Sequence, residues 1–347
     1  MRNVLYATAA CLGLMTLAVA GGAPALAAEV EWRLNISQVE SRPGSKMAAR
    51  FAERVGEKSD GRMRIKTYFG DSLGFGQSDT LRALKGGTVE MAGTYAGYFA
   101  RDAPDVASAL PQGMILAAPE MVSILPVLKD IYEKAYAKWD IVTVGWINES
   151  VFDISVFCKD KVDGLQTLKG KKLRVWAKDQ VDTFTRLGVP AQIVPQNELY
   201  LALQTGVIDC ALYPAAIAKT ISLQEVTRHA VKLHTYSALP SAIGVSARHW
   251  AKLPKDLQAV VLEAGGWISE ESQKLLLDLS DEERGKAELI ATGKFQFWGE
   301  MPKSDQDAFY KAASDVWAER VRDVGREAPA YRDRVMKGLQ DFRDKRS

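Results

Sequence analysis

Strand-like and helix-like segments alternate in two series along this chain, and this alternation limits its fold more than any other feature. The first series runs from "EVEWRLNIS" through the helical "GSKMAARFAERVGEKSDG" to the strands "RMRIKTYF" and "TVEMAGTYAGYF". The second begins near Ile141 and includes "IVTVGWI", "FDISVFC", "KLRVWA", "AQIVPQ" and "VIDCALYP". Alternating strands and helices predict a mostly parallel sheet covered by helices. Two such series predict an α/β protein with two lobes.

The region after Leu253 has a different pattern and is predicted to be helical. From Pro254 to Gly293, apolar residues recur at spacings of three and four, with polar residues on the opposite face. This pattern predicts one long helix that braces the fold. Because open α/β sheets bind ligands beyond the carboxyl ends of their strands, we expect the binding residues at the ends of the earlier strands.

The N-terminus has the pattern of a secretory signal peptide. A short positive end precedes an apolar run over residues 4–20, and small residues stand at Ala25 and Ala27. We expect cleavage after Ala27. A membrane anchor is less favoured because the apolar run is short and Pro24 follows it. No second stretch is long and apolar enough to cross a bilayer, so we expect a soluble, periplasmic product with no membrane insertion of the mature chain.

Charge and residue usage exclude several classes of partner. The chain has 45 basic and 43 acidic residues, interspersed, which argues against nucleic acid as a partner. The three histidines and the two cysteines of the mature chain show no metal-ligand spacing, so we expect no metal and no cofactor. Cys158 and Cys210 could pair in an oxidising compartment. Each lies in an apolar strand-like segment, however, and buried free thiols are the favoured interpretation.

Patterns that would indicate an enzyme are missing from the sequence. There is no G-x-S-x-G motif, and no serine or cysteine lies in a recognisable nucleophile motif. The glycine-rich "GFGQSD" lacks the lysine and hydroxyl residue of a phosphate-binding loop and predicts a turn. The sequence therefore favours a binding protein over an enzyme.

The segment "LKGKKLRVWA" at residues 168–177 contains the strongest candidate for a binding residue. Its lysines surround a glycine in a turn composition and are expected in solvent. Arg174 lies between Leu173 and Val175 in a predicted buried strand, where a charge needs a partner or a ligand. The residues alone favour a structural ion pair over a ligand contact, because buried arginines are usually paired within the protein.

Several long segments resemble the periplasmic solute-binding subunits of TRAP transporters, the tripartite ATP-independent systems. The resemblance is carried by "LKGKKLRV" followed by "VPQNELYLALQTGVIDCALYP", by "FAERVGEKSDGRMRIKTYFGDSLGFGQSDTLRALKGGTVEMA", and by "ARHWAKLPKDLQAVV". These segments occur in the family's order over nearly the whole mature chain. The resemblance implies a receptor that binds a small organic acid and delivers it to the small and large membrane subunits of a TRAP permease.

The family fold that this resemblance implies is the two-lobed periplasmic binding protein fold, with a ligand cleft between the lobes and a long bent helix spanning both. After a signal peptide at residues 1–27, we expect the first lobe at residues 28–150 and 239–278. The second lobe is expected at residues 151–238 and 279–347.

The resemblance also gives Arg174 a role, because the arginine of the family's K-L-R-V strand typically binds the ligand carboxylate. A guanidinium can make two parallel charge-assisted hydrogen bonds to a carboxylate, so this role now outweighs the ion pair. Trp176 lies two residues further along the strand, on the same side, and is expected to share the cleft. Tyr95 and Tyr98 occupy positions where acidic-sugar binders carry a glutamate and an arginine.

Three further positions depart from the family pattern. Asp153 lies where a second arginine is often found, Tyr213 replaces an asparagine, and Gln196 replaces an aromatic residue. A cleft with one arginine, several aromatic rings and an acid suits a monocarboxylate with an aromatic body or with a hydroxy or keto group. A second carboxylate on the ligand would be repelled by Asp153.

A zwitterionic compatible solute stays an alternative ligand. A receptor for a signalling sensor and, more remotely, a secreted enzyme stay alternative functions.

Overall fold

The computed structural model describes residues 28–149, 151–237, 240–278 and 280–346. The predicted signal peptide at residues 1–27 lies outside these described residues.

Eleven strands in the described residues form two mixed sheets. In chain order they are β1 (Val30–Ile36), β2 (Met63–Phe69), β3 (Met91–Thr94), β4 (Ile141–Ile147), β5 (Val151–Cys158), β6 (Leu173–Val175), β7 (Ala191–Ile193), β8 (Cys210–Tyr213), β9 (His229–Ser237), β10 (Ser241–Ser246) and β11 (Gln296–Glu300). The first sheet has the order β2-β1-β3-β10-β4, and the second has the order β11-β9-β5-β8-β6-β7. The chain passes between the sheets from β4 to β5 and returns from β9 to β10.

The helices of the described residues cover these sheets. They are α1 (Pro43–Lys58), α2 (Thr80–Gly86), α3 (Pro104–Ala107), α4 (Ala118–Ala137), α5 (Leu165–Leu168), α6 (Lys178–Arg186), α7 (Leu199–Thr205), α8 (Ala215–Ala218), α9 (Leu223–Val226), α10 (Ala247–Trp250), α11 (Lys255–Lys274), α12 (Ser280–Ile290), α13 (Lys303–Asp323) and α14 (Ala328–Asp344). Helix α1 shows why they form where they do. Pro43 stands in its first turn, and the chain leaves the helix through Asp60 and Gly61, which have φ values of 52° and 78°.

The first sheet has an apolar core on each face. Helices α1 and α11 cover one face with residues such as Phe51 and Val261, and α4 and α14 cover the other with residues such as Leu128 and Val335. Helix α11 comes very close to β4, since a Cβ added at Gly265 would lie 1.7 Å from the carbonyl oxygen of Val144. A separate core, which includes Phe157 and Phe309, fills the second lobe.

The two-lobed α/β fold is confirmed, but the first sheet is less parallel than the sequence pattern predicts. Strands β1, β2 and β3 run parallel, whereas β10 runs antiparallel to both β3 and β4. Strand β10 comes from a segment more than ninety residues beyond β4 in the chain. Its place in the sheet depends on the second crossing between the lobes, which local patterns do not reveal.

The predicted helical character of residues 254–293 is confirmed for most of the segment, but two helices stand in place of the one that was expected. Helix α11 ends at Lys274, one turn of 3-10 helix follows, and Asp278 has extended backbone before α12 begins. Helix α11 packs on β4 of the first sheet, and α12 packs on α8 of the second lobe. The break therefore lies where the chain passes from one lobe to the other.

One segment of the C-terminal region differs from the all-helical expectation. Strand β11 pairs in parallel with β9 at the edge of the second sheet, and Phe295 and Phe297 pack on Phe157 of β5.

The predicted lobe boundaries stay a prediction. Helix α14, which those boundaries place in the second lobe, packs on α4 of the first.

The two cysteines of the described residues form a disulfide, so the expectation of free thiols is wrong. Cys158 ends β5 and Cys210 begins β8, and the two residues are direct partners across this antiparallel pair. Their Cα atoms are 4.2 Å apart. The antiparallel register brings them together, which the apolar character of their separate segments does not show.

Candidate ligand-binding site

A cavity between the two sheets is lined by residues of both lobes. The first lobe contributes the ends of β1, β3 and β4, and the second contributes β5, β6 and the end of β8. The cavity has a volume of about 90 Å³, several times the space that one water molecule needs. Its polar and aromatic lining residues are Gln38, Arg42, Tyr95, Tyr98, Glu149, Phe152, Arg174, Trp176, Gln196, Tyr213 and Ser241.

Arg174 in β6 is 2% exposed. Its Nε donates to the carbonyl of Val194 at 2.9 Å, and its Nη1 donates to the carbonyl of Leu212 at 3.2 Å. Both partners are neutral, and no carboxylate in the described residues lies within 4.0 Å of the guanidinium. Burial lowers the pKa of Arg174, and the nearby charge of Arg42 lowers it further. A buried cation without a protein counter-ion suits an anionic ligand.

Arg42 reaches the same cavity from the first lobe, at the start of α1. Its Nη1 donates to Oε1 of Gln196 at 2.7 Å, which joins the first lobe to the second. Its Nη2 lies 3.6 Å from a carboxylate oxygen of Glu149, just beyond β4. These two residues and Arg174 are the charged residues that line the cavity within the described part of the chain. Two guanidinium groups and one carboxylate leave one positive charge for a ligand to balance.

Two neutral groups at the cavity have unused hydrogen-bonding capacity. The hydroxyl of Tyr213 and Nε2 of Gln196 are buried without a hydrogen-bond partner among the described residues. Tyr213 is 3% exposed, and burial raises its pKa to about 12, so its hydroxyl stays protonated near neutral pH. Buried polar groups nearly always have partners in folded proteins, so both groups are candidates for ligand contacts.

Aromatic rings form much of the remaining wall. Tyr95 and Tyr98 follow β3, and their ring centroids are 5.0 Å apart. On the other lobe, the Arg174 guanidinium carbon lies 5.5 Å from the Trp176 ring centroid and 6.0 Å from that of Tyr213. Such distances allow cation–π attraction, which holds the guanidinium in place beside the cavity.

Six of the seven residues predicted from the sequence line this cavity: Arg174, Trp176, Tyr95, Tyr98, Tyr213 and Gln196. Their position is a fact of the structure, whereas their contact with a ligand stays a prediction.

Asp153, the seventh, does not line the cavity. Its carboxylate binds Lys232 at 3.1 Å and Lys286 at 3.0 Å on the opposite face of β5. The pKa of Asp153 is lowered, because these two lysines outweigh the opposing effect of burial. Side chains alternate along a strand, so Phe152 and Ile154 face the cavity instead.

Arg42 and Glu149 are the site residues that the sequence interpretation missed. Each lies in a loop just beyond the carboxyl end of a first-sheet strand, where an α/β sheet is expected to place ligand contacts. Arg42 also directly precedes Pro43, which favours extended backbone there. Arg42 lies before a helix and Glu149 lies between β4 and β5. The polar character of these two loops was the signal that could have identified them.

Other kinds of site find no support in the part of the chain that the structure describes. It contains no group of three or more His, Cys, Asp or Glu residues arranged to hold a metal ion. None of its helices combines the length and the apolar character needed to cross a membrane.

Comparison with known sequences gives matches over most of the chain. The sequence model of the DctP family, described as bacterial extracellular solute-binding protein, family 7, matches residues 35–324. An uncharacterized protein of Sinorhizobium fredii is 26% identical over 291 residues, which cover 83% of this chain but only 52% of that protein. A monocarboxylate 2-oxoacid-binding periplasmic protein of Nostoc is 26% identical over 293 residues, which cover 83% of this chain and 78% of that protein.

Solved structures show the same fold. The Bordetella pertussis receptor DctP7, which binds pyroglutamic acid, has a TM-score of 0.79 at 16% identity, over 89% of this chain and 99% of that one. A TRAP periplasmic solute-binding protein of Sulfurospirillum deleyianum with bound succinate has a TM-score of 0.78 at 23% identity, over 90% and 98% of the two chains. With a family match over most of its length, this chain belongs to the DctP family of solute-binding proteins, the non-enzymatic periplasmic receptors of TRAP transporters.

Proposed function

We propose that this protein binds a small monocarboxylate in the cavity between its lobes and delivers it to the small and large membrane subunits of a TRAP permease. The observation that carries the proposal is Arg174, a buried guanidinium with no carboxylate partner among the described residues. The 2-oxoacid-binding relative and the receptors that bind pyroglutamic acid and succinate support an organic acid as the class of ligand.

The carboxylate of the ligand is assigned to Arg174. A planar guanidinium suits a carboxylate, and charge-assisted hydrogen bonds are strengthened where water is excluded. Val194 and Leu212 accept hydrogen bonds from Nε and Nη1, and Trp176 lies against the same group. These contacts fix the orientation of the guanidinium before a ligand arrives, which lowers the entropy cost of binding.

The charge of the cavity favours a ligand with one negative charge. A monocarboxylate balances the single excess positive charge left by Arg42, Arg174 and Glu149. A second carboxylate would add a charge without a counter-ion and would be repelled by Glu149. Glu149 thus takes the role that the sequence interpretation gave to Asp153.

The remaining lining residues describe the body of the ligand. Phe152, Ile154 and Trp176 offer apolar surface, which suits an aliphatic or aromatic body. The Tyr213 hydroxyl and Nε2 of Gln196 can donate to a keto or hydroxy oxygen. We therefore favour an aromatic, hydroxy or keto monocarboxylate.

Closure of the lobes follows from contacts on both sides of the cavity. A ligand shifts the protein toward the closed form only if it binds that form more tightly than the open form. Tyr95, Tyr98 and Arg42 contribute from the first lobe, and Arg174 and Tyr213 contribute from the second.

A zwitterionic compatible solute is the second candidate, because Glu149 places a carboxylate in a cavity rich in aromatic rings. A quaternary ammonium group could lie against Trp176, Tyr95 or Tyr213.

The test is a thermal-shift screen followed by calorimetry. The screen compares 2-oxo, 2-hydroxy and aromatic monocarboxylates with succinate and with betaine-type zwitterions. Arg174→Met keeps an unbranched side chain of similar bulk near the backbone and removes the guanidinium and its charge. Lys169→Met in the same segment is the exposed control. We expect Arg174→Met to weaken acid binding by about thirty-fold or more, the effect of about 2 kcal/mol, and Lys169→Met to leave it unchanged. Equal binding of the acid by folded Arg174→Met and by wild type would contradict the proposal.

A further inference from the structure

A second, smaller cavity lies behind the tyrosine pair. It shares Gln38, Gly93, Tyr95, Tyr98 and Ser241 with the ligand cavity. Its volume is about 10 Å³, roughly what one water molecule needs. The two tyrosines therefore line both the cavity that can hold a ligand and a cavity with room for little more than one water molecule.

The smaller cavity is lined mainly by polar side chains. Ser37, Gln77, Thr80 and Phe99 line it in addition to the shared residues. The hydroxyl of Thr80 donates to the carbonyl of Gln77 at 3.0 Å, and the hydroxyl of Ser37 bonds to Asp71. Nε2 of Gln77 is buried without a partner among the described residues. The cavity thus has an unused hydrogen-bond donor, which an oxygen acceptor would satisfy.

Local contacts hold the tyrosine pair in place as a wall. Tyr98 is hydrogen-bonded to Gln38, and its ring lies 5.0 Å from that of Tyr95. The Tyr95 ring folds back over Gly97, where an added Cβ would come within 2.7 Å of the ring. Glycine at residue 97 therefore permits this ring position, and any larger residue would displace it.

We propose that Tyr98 sets the maximum length of the ligand, and that the cavity behind it is a latent subsite for an acid with a distal oxygen acceptor. With the Tyr98 ring in place, an acid must end within the main cavity. Without the ring, the two cavities join, and a hydroxyl, keto or amide oxygen at the far end of a longer acid can accept from Nε2 of Gln77. This inference rests on the proposed function and adds a limit on length to it.

The test uses a series of straight-chain 2-hydroxy acids of increasing length, with a terminal methyl or a terminal hydroxyl at each length. Calorimetry compares wild type, Tyr98→Ala and Tyr98→Phe, which keeps the ring and serves as the matched control. We expect wild type and Tyr98→Phe to prefer the short acids. Each additional methylene of the acid that becomes buried in Tyr98→Ala should improve its affinity about four-fold. Acids longer by two methylenes should therefore bind Tyr98→Ala about ten-fold or more tightly than they bind wild type.

The terminal hydroxyl tests the role of Gln77. In the Tyr98→Ala background, long acids with a terminal hydroxyl should bind more tightly than those with a methyl, and adding Gln77→Met should remove that preference. Tyr98→Leu serves in place of Tyr98→Ala if the alanine variant does not fold, with a smaller gain in the same direction. A length preference identical in wild type and in the folded variants would overturn the inference. Failure of wild type to bind any short acid would instead refute the proposed function, so the two failures are distinguishable.

Discussion

Glu282 provides a prediction that connects pH, stability and the wall of the ligand cavity. This residue of α12 is 3% exposed, and its carboxylate accepts from the backbone N–H groups of Ala215 at 3.1 Å and Ala216 at 3.0 Å. Those two residues directly follow Tyr213 and Pro214, which line the cavity. Burial raises the pKa of Glu282 to about 7, although the two N–H groups act in the opposite direction.

The sign of the effect follows from the two pKa values. The folded protein binds the proton near pH 7, whereas an unburied glutamate binds it near pH 4.5. Protonation of Glu282 therefore adds to the free energy of unfolding as the pH falls through about 7, and the full contribution is present below 4.5. The contribution is lost as the pH rises above 7. The gap between the two pKa values corresponds to about 3 kcal/mol.

The experiment compares wild type with Glu282→Gln, which removes the titratable carboxyl group and keeps the shape of the side chain. Lys286 and Asp153 are the charged groups that act on Glu282, and both are retained in the variant. Urea unfolding between pH 5 and pH 8 gives the free energy of unfolding of each protein. Between pH 8 and pH 5, wild type should gain about 2.5 kcal/mol relative to the variant, most of the full contribution.

Glu283→Gln is the matched control, because this neighbouring residue lies on the same helix with its side chain 75% exposed. It should leave the pH dependence of unfolding close to that of wild type. A constant difference in the free energy of unfolding between wild type and Glu282→Gln across this pH range would show that Glu282 does not titrate near pH 7.

Two further predictions concern cross-links within and between the lobes. Replacing Cys158 and Cys210 by serine opens a loop with a sequence separation of 52, so the free energy of unfolding should fall by about 2–4 kcal/mol in urea titrations. An unchanged midpoint would contradict a stabilising disulfide. Arg42→Ala removes the hydrogen bond to Gln196 and leaves the half-buried Glu149 without its ion partner. It should therefore weaken ligand binding about thirty-fold and expand the liganded protein in small-angle scattering. Wild-type affinity and dimensions would contradict this role for Arg42.

The resemblance to the TRAP receptor family, together with strand periodicity, was sufficient for the parts of the candidate site that lie along one extended segment. The family's K-L-R-V strand identified Arg174, and Trp176 was expected beside it because side chains two residues apart lie on the same face. Tyr213 was identified because it stands where the family carries an asparagine. The same comparison with the family failed at Asp153, where the assumed position was off by one residue. A shift of one residue moves a side chain to the opposite face of the sheet.

Features that depend on contacts distant in sequence could not be predicted in this way. The disulfide needs the antiparallel register of β5 and β8, and the break after Lys274 follows from the passage of the chain between the lobes. Arg42 lies in a loop without periodicity, and its role is visible only once Gln196 of the other lobe lies beside it. In each case the missing information is which elements become neighbours.

A matched set of ligands can show whether Arg174 binds the carboxylate of a singly charged acid. Calorimetry should compare the best-binding monocarboxylate with its amide, which has nearly the same shape and no charge, and with the dicarboxylate of the same length. We expect only the monocarboxylate to bind tightly to wild type, and we expect Arg174→Met to remove its advantage over the amide. Tight binding of the amide by wild type, or an undiminished advantage of the acid in Arg174→Met, would contradict this role of Arg174.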